Sequence, residues 1–162
     1  MFKMRRHRIS IVIPILNEAK NIERLTNKIV KYLKGFKFEI MFVDDNSKDD
    51  SKKILTKLKK KYIFFKPILR NKKERDLTQS CFAGIEKSNY QKVVIMDGDL
   101  QHDPYYIPKL YKKMNKNIDI VVGTRNFLNG KNPGLSWARK QMSKILIYLF
   151  SLISAKTKDP MS

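Results

Sequence analysis

The chain has 162 residues, with 35 Lys and Arg against 15 Asp and Glu, for a formal net charge of +20. Hydrophobic residues make up 42%, which excludes intrinsic disorder, and a chain of this length is expected to fold as one domain burying roughly 70% of its unfolded surface. The single cysteine, Cys81, excludes an intramolecular disulfide, and with it the small secreted disulfide scaffolds, and points to a reducing compartment.

The start carries Arg5, Arg6 and Arg8 but leads into only seven apolar-rich residues before Asn17 and Glu18, too few for a secretory leader. Those residues, Ile9 to Ile15, read as a short buried strand. Ile22, Leu25, Ile29 and Leu33 then recur at helical spacing and predict an amphipathic helix that stops at Gly35. Phe38 to Val43 is a second strand. It ends in Asp44-Asp45-Asn46-Ser47, which offers N-caps to a helix running to about Lys61 with Ile54 and Leu58 inward.

Ile63 to Leu69 predicts a third strand, and Leu77, Cys81 and Ile85 mark the inward stripe of the next helix. Lys92 to Met96 is a fourth strand that runs into Asp97. Pro104 opens a helix to about Asn115, and Ile118 to Gly123 is a fifth strand. Residues 124–135 are rich in Asn, Gly and Pro and read as a loop. A helix follows from Ser136, first basic at Arg139, Lys140 and Lys144, then apolar from Ile145 to Ile153. That run is nine residues, about half of a membrane span. It suits either a headgroup-level interface or burial against further protein. The expected organisation is a domain over 1–135 and an interfacial segment over 136–162 that looks cut short; no transmembrane span is expected.

Strands alternating with helices predict an α/β fold, with a mostly parallel sheet flanked by helices. In such sheets ligands gather beyond the carboxyl ends of the strands. Asn17-Glu18, Asp44-Asp45 and Asp97-Gly98-Asp99 all follow strand ends, so three polar groups converge on one rim.

Val93 to Asp103, VVIMDGDLQHD, carries the strongest chemical signal. Two carboxylates at i and i+2 where a buried strand meets a loop can face one hard divalent cation, and Gln101 adds a neutral oxygen at the same alternation. Such ligands suit Mg²⁺ or Mn²⁺, which leave positions for substrate phosphates. A lone Asp-x-Asp is more often a capped turn; the two other polar strand ends favour the metal. His102 takes a supporting or solvent role.

IVIPILNEAKNI (residues 11–22), FVDDNSKDDS (42–51), VVIMDGDLQHDP (93–104), VVGTRN (121–126) and KDPMS (158–162) together resemble the family-two inverting glycosyltransferases of GT-A fold. The similarity is greatest to the polyprenyl-phosphate transferases typified by dolichyl-phosphate mannosyltransferase. The resemblance implies a nucleotide-sugar donor held by Pro14, Leu16, Glu18, Val43, Asp45 and the Asp97-Gly98-Asp99 turn, with Asp45 accepting from a ring N–H of the base. It implies Mg²⁺ or Mn²⁺ on Asp97, Asp99 and Gln101, and a catalytic set of Asp99, Arg125 and Arg139 in which the arginines hold the phosphate of a polyprenyl acceptor. Leu16 stands where a tyrosine is common, and Asp76 where a glycine is common. Arg70 either reaches the diphosphate or lies at the surface.

Lys52 to Lys73 contains ten basic residues without any nucleic-acid-binding motif. The charge therefore predicts solvated surface or an anionic membrane surface at the cytoplasmic face before any specific nucleic acid.

Overall fold

A computed structural model of the chain describes residues 7–72, 74–114 and 117–123. The chain divides into two compact units, residues 1–112 and 113–162; the boundary expected at 135, the loop beyond Gly123 and the basic-apolar helix lie outside the described residues.

The first unit is built on four parallel strands. These are β1 (Arg8–Ile15), β2 (Lys37–Asp44), β3 (Ile68–Leu69) and β4 (Val93–Ile95), ordered β3-β2-β1-β4. Helices α1 (Ala19–Tyr32), α2 (Ser51–Lys61) and α3 (Leu77–Glu86) supply the crossovers. A single 3₁₀ turn, Pro104–Tyr106, precedes α4 (Ile107–Lys113), in place of the continuous helix expected from Pro104.

Side chains alternate across the strands. Ile9, Ile11, Ile13, Ile15, Ile40 and Phe42 face the core formed with α1, α2 and α4, where the predicted Ile22, Leu25, Ile29 and Leu33 are all fully buried. Leu55 and Leu58 are the buried apolar residues of α2, and Ile54 is only partly covered. Its N-cap is Asp50 rather than the 44–47 cluster.

The opposite face is thinner. Val12, Met41 and Val43 lie under α3. The stripe expected inward on that helix points elsewhere: Leu77 is 65% exposed and Ile85 39%, while Ser80 and Gly84 are buried. The cause is close approach. A Cβ on Gly84 would overlap the side chain of Val12, so α3 presses its small residues, not its large ones, onto β1.

Two strand expectations are revised. The third strand is broken, because Phe65 bridges Ile40 but Pro67 lacks a backbone N–H, so regular pairing resumes only at Ile68–Leu69. Residues 118–123, in the second unit, form no strand; Ile120 is 79% exposed, and among the described residues no ladder partner pairs with them.

At the amino ends of the strands, Glu39 is 2% exposed amid the apolar residues of β2. Its carboxylate accepts from Ser10 Oγ (2.7 Å), Lys66 Nζ (2.7 Å), Asn89 N (2.6 Å) and Asn89 Nδ2 (2.6 Å). Burial raises its pKa, but these donors outweigh burial and hold the group at about 2. One carboxylate thus ties β1, β2 and the approaches to β3 and β4 together. Among the described residues no helix is long and apolar enough to cross a membrane.

Candidate active site

The carboxyl ends of β1 and β2 are stitched to each other. Asn17 (φ 58°) and Asn46 (φ 61°) take the left-handed conformation that asparagine tolerates better than most residues. Asn17 N–H donates to Ser47 Oγ at 2.8 Å, Lys48 N–H to Asn17 Oδ1 at 2.8 Å, and Asp45 N–H to the Ile15 carbonyl at 3.0 Å. Asp49 accepts from Ala19 N–H at 3.0 Å and Ser51 N–H at 3.0 Å. Desolvation pushes the Asp49 pKa up, but these donors hold it below the ordinary carboxylate value.

The Asp97-Gly98-Asp99 turn leaves β4 beside this stitched pair. Gly98 is buried, and a Cβ there would lie 2.6 Å from Ile15 Cγ2 and 3.7 Å from Glu18 Cγ. Glycine is what allows the turn to seat against β1, and it brings Glu18 to its flank. Glu18 Oε2 accepts from Asn21 Nδ2 at 2.6 Å.

Asp99 Oδ1 accepts from Gln101 N–H at 2.9 Å, and Leu100 between them is left-handed (φ 66°), a strained conformation for a non-glycine residue. Asp97 is half exposed, with Oδ2 3.6 Å from His102 Nδ1. Its charge also reaches α3: burial, and then Asp97, raise the Cys81 thiol pKa. Asp103 closes the segment by capping the 3₁₀ turn through Tyr105 N–H at 3.1 Å.

The donor set fits a divalent metal in part by its own chemistry. Asp97, Asp99 and Gln101 lie on one short turn and offer oxygen ligands only, which suit a hard cation. Among the described residues no three His, Cys, Asp or Glu side chains gather to hold an ion unaided. Two carboxylates with an amide oxygen are what Mg²⁺ or Mn²⁺ takes when substrate phosphates complete its shell.

On the other side of β1 an open cleft of about 270 Å³ is lined by Pro14, Ile15, Leu16, Asp45, Arg75, Asp76, Leu77 and Ser80. Asp45 lies at its base, 6% exposed, with Oδ1 2.7 Å from Arg70 Nη1 and Oδ2 2.7 Å from Asp76 N. Arg70 is internal at 8% exposure, and Nη1 also donates to the Asp76 carbonyl (2.8 Å) and Ser80 Oγ (2.7 Å). It is therefore neither a surface cation nor aimed at a diphosphate. Asp76, in place of the common glycine, caps α3 by accepting from Gln79 N–H at 3.0 Å.

Pro14, Leu16 and Asp45 therefore share the cleft, and Glu18, Asp97, Gly98, Asp99 and Gln101 share the neighbouring rim. Val43 joins neither: it is fully buried with Val12 and Met41, and its side chain faces the core. Arg125 and Arg139 lie outside the described residues. Arg75 has no signal in sequence spacing, since what places it at the cleft is the bond of its neighbour Asp76 to Asp45 at the end of a distant strand.

The model of the family described as Glycosyl transferase family 2 matches residues 10–160. Dolichol-phosphate mannosyltransferase of Pyrococcus furiosus is 34% identical over 152 residues, which are 94% of this chain and 43% of that protein. Undecaprenyl-phosphate 4-deoxy-4-formamido-L-arabinose transferase of Proteus mirabilis is 30% identical over 145 residues, 86% of this chain and 42% of the other. The chain thus spans less than half the length of both relatives.

Two solved structures share the architecture. A mannosyltransferase from Pyrobaculum calidifontis, in complex with GDP-Man and Mn²⁺, superposes with TM-score 0.53 at 21% identity, over 59% of this chain and 28% of that one. Glucosyl-3-phosphoglycerate synthase from Mycobacterium tuberculosis, in complex with Mn²⁺, UDP and glucosyl-3-phosphoglycerate, gives 0.54 at 22% identity, over 68% and 40%. The fold is the GT-A type, as the motifs implied.

Proposed function

From the premise that this chain belongs to glycosyl transferase family 2, we propose that it moves a hexosyl group from a nucleoside diphosphate sugar to a polyprenyl phosphate, with inversion. The observation that carries this reading is the seating of Gly98 against Ile15 and Glu18, which sets Asp97 and Asp99 at the β4 terminus, one strand from the Asp45 cleft. A diphosphate running from that cleft to this turn would cross the end of β1, over a sheet whose strands lie about 4.8 Å apart.

Asp45 addresses the base. A carboxylate can only accept, so it favours rings that present an N–H, such as uracil and guanine, over cytosine and adenine, whose corresponding ring nitrogens are acceptors. Two of its lone pairs already serve Arg70 and Asp76 N–H, which fix the carboxylate while leaving acceptor capacity for the ligand.

Asp97, Asp99 and Gln101 would hold Mg²⁺ or Mn²⁺, which supplies charge neutralisation for the departing nucleoside diphosphate. The acceptor needs no general base from the protein, because a lipid phosphate is already an anion near neutral pH whereas a sugar hydroxyl is not. What the chain must add is alignment. Arg125 and Arg139 are assigned that part: guanidinium binds phosphate in a bidentate fork and stays charged, so it holds the nucleophile without transferring a proton to it.

The +20 charge would hold the enzyme at the anionic cytoplasmic face where such an acceptor resides, at roughly 1 kcal/mol per basic residue near the surface. The test is a thermal-shift panel of UDP- and GDP-sugars with Mg²⁺ or Mn²⁺, followed by mass analysis of product made with a short polyprenyl phosphate. Metal-dependent stabilisation by one donor class and a sugar-phosphate-lipid product are expected; stabilisation by none of the donors overturns the reading.

A further inference from the structure

The cleft at Asp45 is built from three stretches of chain. Its lining comes from the buried Asp45 and Ser80, from Pro14, Ile15 and Leu16 at the end of β1, and from Arg75, Asp76 and Leu77 entering α3. A planar ring whose N–H edge meets Asp45 would offer its faces to the two flanking stretches, 14–16 and 75–77. Leu16 is 37% exposed and offers an aliphatic surface with no π-system to one face.

The stretch entering α3 holds an arginine. Arg70 is buried and committed to Asp45, Asp76 and Ser80, whereas Arg75 is exposed and lines the cleft. Its backbone is fixed by its neighbour: Asp76 N–H is held by Asp45 Oδ2 at 2.7 Å, and the Asp76 carbonyl by Arg70 at 2.8 Å. The residue is thus anchored at the cleft mouth by the same carboxylate that addresses the base. It also lies on the β2–β3 side of β1, whereas the Asp97–Asp99 turn lies on the β4 side, away from where the phosphates would sit.

We propose that Arg75 is a donor-binding residue that lays its guanidinium plane on the face of the base, across the cleft from Leu16. A guanidinium is flat, delocalised and weakly hydrated, so it stacks on an aromatic ring in a way an ammonium does not. Arg75 would therefore supply the stacking surface that Leu16 lacks. The proposal rests on the nucleotide-sugar reading of the cleft.

The test compares nucleosides with nucleoside diphosphates, using uridine, guanosine, UDP and GDP with Mn²⁺, on the full chain by calorimetry and ligand-observed NMR. A base stack is worth about tenfold or more in affinity. Arg75→Ala should weaken the preferred nucleoside and its diphosphate by the same factor, Arg75→Lys should lose most of the affinity, and Arg75→Trp should keep it. Thermal unfolding of all three should match that of the parent, since the side chain is exposed. If Arg75→Ala weakens only the diphosphate and Arg75→Lys restores it, the residue is a phosphate contact and the proposal is overturned; unchanged affinity for every ligand overturns it too. Failure of the parent chain to bind any of the four overturns the nucleotide reading itself, and this proposal with it.

Discussion

Arg70 and Asp45 meet at 2.7 Å with each side chain only 8% exposed, and this pair ties the end of β2 to the start of α3. Removing one buried partner leaves the other charge uncompensated, which costs about 3–5 kcal/mol. Arg70→Ala should lower stability by that amount in urea denaturation and abolish donor binding. Replacing both residues together, Arg70→Met with Asp45→Leu, should recover much of the stability but none of the binding. A double variant that binds donor would show that Asp45 does not contact the base.

Gly98 is predicted to be intolerant of even one carbon. A methyl group there would lie 2.6 Å from Ile15 Cγ2, so the turn must move or β1 must yield. Gly98→Ala should cost about 1–3 kcal/mol in denaturation. It should also reduce metal-dependent donor affinity well beyond what the stability loss explains, as read by titration with and without Mn²⁺. Undiminished affinity would mean that the position of the turn is immaterial to the donor.

Asp99→Ala, or addition of EDTA to the parent chain, should abolish the metal-dependent part of donor binding. Arg125→Ala and Arg139→Ala should leave donor binding intact and abolish transfer to a short polyprenyl phosphate. Equal loss of donor binding in the arginine variants would assign them to the donor instead of the acceptor.

Glu39 gives the fold an acid limit. Its carboxyl is held at about 2 in the folded chain, against an ordinary value of 4.5. The unfolded chain therefore takes up this proton more readily, and stability rises with pH across the interval from about 2 to 4.5. The stabilisation is complete above the ordinary value and is lost as pH falls through the folded one, a difference of about 3 kcal/mol. Urea midpoints measured across that interval should show the slope, and Glu39→Gln should flatten it while lowering stability at neutral pH.

Much of this architecture was legible because it is local. The apolar run of Ile9 to Ile15 and the spacing of Ile22, Leu25, Ile29 and Leu33 require no knowledge of the rest of the chain, and both elements formed where expected. The Asp97-Gly98-Asp99 turn was legible as a strand end for the same reason. What periodicity missed depends on distant partners. The stripe of Leu77, Cys81 and Ile85 predicted the wrong inward face of α3, because contact with Val12 demands Gly84 rather than a large side chain. The motif alone makes Val43 a base contact, yet strand alternation buries its side chain with Val12 and Met41. Glu39 left a signal that could have been read: a lone acid inside FEIMFV must find donors, and here they come from residues 29, 27 and 50 positions away.

The crossed hydrogen bonds that join Asn17 to the Ser47 hydroxyl and the Lys48 N–H have an evolutionary corollary. Insertions or deletions in either connection would break the match between them, so the two loops should vary in length only in concert. Residues 74–77, of which Asp76 is bound to Asp45, take no part in that pair of bonds. Divergence in donor preference should therefore accumulate there, where one wall of the nucleotide cleft can be recut without disturbing the frame that holds the other.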